Sequence, residues 1–65
     1  MGIGEKNMRV RVIYDTGHDY GEFEYFSKYN RINAKGIKEE IKSQMIRKYG
    51  RSGSYYTISQ FYRVD

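Results

Sequence analysis

Apolar and polar residues alternate along two stretches of this chain, and between them apolar residues recur at helical spacing. From Met8 the apolar positions are Met8, Val10, Val12 and Tyr14, with Arg9, Arg11 and Asp15 between them; only Ile13 breaks the rule. A period of two marks a half-buried strand, so a first strand is predicted over 8–15. Thr16-Gly17-His18-Asp19 follows, a turn cluster whose glycine can take a positive φ. A second strand is predicted over 20–29. If the hairpin closes on that cluster, Val12 faces Phe23, Val10 faces Tyr25 and Tyr14 faces Gly21 on one side, while Arg11 faces Glu24 on the other. Apolar pairing and charge pairing agree on this register, and cross-strand pairs of either kind stabilise by roughly 0.2–1 kcal/mol.

The stretch Asn33–Gly50 has the pattern of an amphipathic helix, predicted over 34–49. Ala34, Ile37, Ile41, Met45 and Tyr49 share one stripe of a 3.6-residue period. Asn33 is placed as an N-cap, and Ile32 and Ile37 as a hydrophobic staple. Arg47 and Lys48 suit the negative end of the helix dipole, and Gly50 suits a left-handed C-cap. Arg51-Ser52-Gly53-Ser54 reads as a flexible loop. Alternation then returns, predicting a third strand over 55–64 with Tyr56, Ile58, Tyr62 and Val64 toward the helix and Tyr55, Thr57, Ser59, Phe61 and Arg63 away from it.

The order ββαβ implies an α+β fold of two layers, one helix on one face of a three-stranded, mostly antiparallel sheet. A right-handed crossover through the helix sets the third strand beside the first, giving strand order 2-1-3. Order 1-2-3, with the third strand parallel to the second, is the alternative. Residues 1–7 read as a lead-in to a single domain spanning 1–65.

Composition narrows the function more than it names one. In 65 residues there is room for one thin core, and the absence of cysteine removes disulfides and thiolate metal sites as staples. Eight tyrosines and three phenylalanines must supply much of the buried area. Neither a membrane-spanning run nor a signal-peptide core is present, which leads us to expect a cytoplasmic protein. Twelve basic against eight acidic side chains leave a net charge of +4, compatible with nucleic acid or with an acidic protein surface.

No cofactor motif or nucleophile–base spacing stands out, so catalysis is not expected. Asp15, His18 and Asp19 cluster in the hairpin turn, where such residues commonly serve the backbone, and no metal site is assigned to them. The glycine-rich run after the helix lies at the wrong end of it for a phosphate loop. Lys35, Lys38 and Lys42 form a basic flank on the helix, with Ile46 beside it.

A two-layer fold leaves one sheet face uncovered. The strand parities place Arg9, Arg11, Ile13, Glu22, Glu24, Phe26, Lys28, Tyr55, Thr57, Ser59, Phe61 and Arg63 there. Arg9, Arg11, Phe26, Lys28, Tyr55, Phe61 and Arg63 are the candidate partner-binding residues, because aromatic rings and arginines together suit protein hot spots. The same set suits RNA or DNA, with rings on bases and arginines on phosphates; Glu22 and Glu24 dilute such a field. Self-association through this face, as a homodimer, is a third reading, and an unpaired edge strand offers a second docking surface.

The run VRVIYD, EFEYFSKYN, AKGIKEEIKSQMI and YTISQFYRV resembles, in element order, small ββαβ proteins such as the archaeal ribosomal LX group. In size, in its lack of Cys and Pro, and in its tyrosine-rich strands, it is also similar to single-domain proteins encoded by bacteriophages and mobile elements. Many of these inhibit host enzymes or defence complexes by binding alone. The likeness implies a non-enzymatic inhibitor or regulator that docks on a host protein or nucleoprotein complex.

Overall fold

In the computed structural model, residues 8–64 are described. The lead-in expected over residues 1–7 lies outside them. The elements are β1 (Met8–Asp15), β2 (Tyr20–Ser27), α1 (Ile37–Tyr49), a 3-10 helix over Gly50–Tyr55, and β3 (Thr57–Arg63). The sheet order is β2-β1-β3, with β1 antiparallel to both neighbours. This is the α+β, two-layer ββαβ arrangement expected from the pattern.

The hairpin register is the one that apolar and charge pairing dictate. Val12 lies opposite Phe23, Val10 opposite Tyr25, Tyr14 opposite Gly21 and Arg11 opposite Glu24. The turn holds that register by itself. The Thr16 amide donates to the Asp19 carbonyl at 2.9 Å, the Thr16 hydroxyl oxygen accepts from the Asp19 amide at 3.0 Å, and the Asp15 carboxylate accepts from the Gly17 amide at 2.8 Å. Asp15 thus serves the backbone, and among the described residues no group of three or more His, Asp or Glu gathers around a point.

One side of the sheet and the apolar stripe of α1 form the core: Met8, Val10, Val12, Tyr14, Phe23, Tyr25, Ile37, Ile41 and Met45. Tyr14 sits at its aromatic end, stacked on Tyr56 at 5.2 Å between ring centroids and tilted against Tyr49 at 5.2 Å. Such ring pairs add about 0.5–1.5 kcal/mol beyond area burial.

The helix starts later than expected. Asn33 does not cap it; residues 32–36 form turns, with the Ala34 amide donating to Arg31 and the Ile37 amide to Ala34. Gly36 occupies the N-cap position, and the Glu40 amide closes the first helical turn on its carbonyl at 3.0 Å. Glu40 is drawn to the end of β2, where it accepts hydrogen bonds from the Tyr25 hydroxyl (2.8 Å), the Ser27 hydroxyl (2.6 Å) and the Lys28 amide (2.9 Å). Those bonds tie the first turn to β2, and Glu39 and Glu40 lie at the positive end of the helix dipole.

The run expected to be a flexible loop is instead the 3-10 helix, packed back on α1. Gly50 has the positive φ expected of it (69°), but its ψ of −148° lies outside the left-handed helical well, in an extended region that glycine alone enters readily. Gly53 is buried so closely over α1 that a Cβ there would overlap the Met45 carbonyl.

The third strand holds the main correction. It begins at Thr57, and its ladder with β1 slips between Ile13 and Tyr14: Ile13 faces Gln60 while Tyr14 faces Ile58, so Ser59 is an extra residue. A bulge of this kind reverses the parity of everything beyond it. Ile58 keeps its expected place toward the helix. Phe61, opposite Val12, and Arg63, opposite Val10, also fall on the helix side, whereas Gln60 and Tyr62 fall on the open face.

Candidate protein-docking face

The open face of the sheet is centred on Glu24. Arg11 donates to its carboxylate through Nε at 2.9 Å and Nη2 at 2.5 Å, and Arg9 Nε lies 3.8 Å from its other oxygen. Arg9 and Arg11 are neighbours of the same parity on β1, so one carboxylate on β2 reaches both. On the far side Arg11 meets Tyr62, its partner across the β1–β3 ladder. The hydrogen bond to Glu24 first, then the one to Tyr62, raise the Arg11 pKa above its ordinary value. The guanidinium is therefore a fixed, planar, charged group at the middle of the face.

Two large rings flank this charged centre. Phe26 stands opposite Arg9 and is 64% exposed; Tyr62 stands opposite Arg11 and is 37% exposed. Ile13, half-buried, completes the patch beside Glu22 and Gln60.

Three of the seven residues assigned to this face from the sequence therefore stand together on it: Arg9, Arg11 and Phe26. The other four do not. Phe61 packs against the core from the helix side, because the bulge turned it inward. Arg63 turns to that side for the same reason. Tyr55 belongs to the 3-10 helix before β3 and is 75% exposed there. Lys28 lies beyond the end of β2, its ammonium 5.5 Å from the Tyr29 ring, beside the first turn of α1. Tyr62 was assigned inside and belongs outside. A signal for this was present: Ile58 and Phe61 are three apart, a spacing that an unbroken strand cannot put on one face.

These moves change the electrostatics of the face. Without Lys28 and Arg63, two arginines stand against Glu22 and Glu24, and the arginines are already bound to one of those carboxylates. On the opposite layer, a hollow of about 640 Å³ runs between α1 and β3, with Lys38, Lys42, Ile58 and Phe61 in its lining and, among the described residues, neither a carboxylate nor a histidine. Among the described residues no helix is long and apolar enough to cross a membrane. No protein-family model, no curated protein sequence and no solved structure matches this chain.

Proposed function

We propose that this chain is a small cytoplasmic binding protein that acts by docking on another protein, in the manner of the phage-encoded inhibitors and regulators it resembles. The docking face is the open side of the sheet, with Phe26 and Tyr62 as anchors and Arg9 and Arg11 as oriented polar contacts. The observation that carries this reading is the state of the arginines. Glu24 hydrogen-bonds Arg11 and lies 3.8 Å from Arg9, and together with Glu22 it offsets their two charges, leaving a near-neutral patch with exposed rings at two sides. Rigid aromatic groups and preorganised guanidiniums lose little entropy on binding, and both are enriched at protein hot spots.

The same charge balance counts against RNA or DNA as the partner of this face. Phosphate binding needs cations free to displace the counterions condensed on the nucleic acid, and here Arg11 is hydrogen-bonded to a carboxylate that also lies 3.8 Å from Arg9. Catalysis is not part of the proposal; the hollow between α1 and β3 is lined by neither a carboxylate nor a histidine among the described residues.

The test compares the intact chain with Phe26→Ala and Tyr62→Ala as baits in a bacterial lysate. The intact chain should retain one protein partner, which each variant loses by a factor of about ten or more, equivalent to a hot-spot contribution above about 1 kcal/mol. Equal recovery by folded variants overturns the assignment of the face. Tight binding to generic oligonucleotides that weakens steeply with salt replaces the reading with nucleic-acid recognition. A mass that rises with concentration and is held down by Phe26→Ala replaces it with a homodimer.

A further inference from the structure

On the other layer, the helix leaves one strip of the sheet poorly covered, and that strip lies along an edge with no further strand among the described residues. We infer that the edge of β3 and the hollow beside it form a second docking site, which takes an extended segment of a partner protein bearing apolar and acidic side chains on one face. This goes beyond the reading of the open face and does not depend on it.

Four observations meet here. First, among the described residues β3 pairs with β1 alone, so its outer side offers main-chain donors and acceptors to an added strand. The Val64 amide donates to the Arg9 carbonyl at 3.0 Å, and by antiparallel alternation the main-chain groups of Phe61 then point away from β1. Second, the bulge turns both Ile58 and Phe61 toward the helix side, where each is only half-buried. They form an apolar floor, and Ile46 of α1, 46% exposed, adjoins it. Third, Lys38 and Lys42 of α1 line the hollow, and neither forms an ion pair among the described residues. Fourth, β3 carries one charged residue, Arg63 at its end, so its middle lacks the charges that usually guard an edge strand.

The chemistry of the occupant follows from these groups. Main-chain pairing requires an extended segment. An apolar floor below and ammoniums above require apolar and carboxylate side chains at positions of the same parity, because alternate residues of a strand share a face. A second copy of this chain fits less well. Joining two β3 edges would bring two α1 helices onto one face of a shared sheet, with the Lys38 and Lys42 flanks of both over the joint, and like charges there repel.

The experiment selects binders of about ten residues, the length of a long strand, from a random peptide library against the full chain. Recovered peptides should carry apolar and acidic residues at same-parity positions, and adding one should slow hydrogen exchange at the Phe61 amide. The double variant Lys38→Glu/Lys42→Glu should weaken the peptide by about tenfold or more, while Phe26→Ala should leave it within about twofold. Failure to recover such peptides, recovery of basic or helical ones, or indifference to the double variant each overturns the proposal. Protection of the Phe61 amide in the unliganded monomer assigns the edge to residues 1–7 instead; protection that appears only as the mass doubles assigns it to a second copy. Because Phe26 and the lysines lie on opposite layers, loss of one site leaves the other to be measured.

Discussion

Glu40 on α1 accepts a hydrogen bond from Ser27 on β2 at 2.6 Å, joining the first turn of the helix to the last residue of the strand. The Ser27 side chain is fully buried, and its oxygen also accepts from the Tyr29 amide at 2.9 Å. With Tyr25 and the Lys28 amide, the carboxylate serves three donors. Glu40→Ala strands buried hydroxyls and should cost about 2–4 kcal/mol; Glu40→Gln, which keeps one accepting oxygen, should cost about half of that. Urea denaturation measures both.

The same carboxylate makes stability depend on acid. Burial works to raise its pKa, but the bonds from the Lys28 amide, Ser27 and Tyr25 outweigh burial and hold it below the ordinary value of 4.5. A lowered folded-state pKa stabilises the fold above the unfolded value and is lost as pH falls through the folded one. Stability should therefore decline below about pH 4.5, and in Glu40→Gln that part of the decline should be missing.

At the alkaline end the sign reverses. The bond to Tyr49 first, then burial, push the Tyr14 hydroxyl up to about 12, and burial followed by Glu40 raises Tyr25 as well. Both must stay protonated in the fold. Their contribution is complete below the unfolded pKa of 10 and is lost as pH rises through the folded values. Tyrosinate absorbance should show a late component that Tyr14→Phe diminishes, at a cost near neutral pH of only about 0.5–1.5 kcal/mol.

Two phenylalanines test the bulge. Phe61→Ala should destabilise by about 1–3 kcal/mol, because the ring packs on the core beside Val12. Phe26→Ala, on the open face, should change stability by no more than about 0.5 kcal/mol. Equal effects would place both rings on the same kind of surface and contradict the β1–β3 register.

The connector after α1 is tested by Gly53→Ala. A Cβ there meets the Met45 carbonyl, a backbone atom that can yield only if the 3-10 helix lifts from α1. The expected loss is about 1–3 kcal/mol, against less than about 0.5 kcal/mol for the exposed neighbour in Ser52→Ala, both read from thermal or urea unfolding.

Local pattern alone determined the hairpin, the element order and the apolar stripe of the helix. In those stretches each residue's side is set by its neighbours: Val10, Val12 and Tyr14 against Phe23 and Tyr25, or Ile37, Ile41 and Met45 at one helical spacing. Tertiary structure decided the rest. Asn33 is a better cap than Gly36 in isolation, yet the helix starts at Ile37, where Gly36 packs closely under Tyr29 and Glu40 is tied to the end of β2, contacts between distant residues that local pattern does not encode. Parity in β3 could not be counted from its own residues, since a single extra residue at Ser59 turns Phe61 inward and Tyr62 outward. A bulge is a property of two paired strands, so it becomes visible only when the partner strand is in place. That exchange also removed Arg63 from the open face and left Arg9 and Arg11 there beside Glu22 and Glu24.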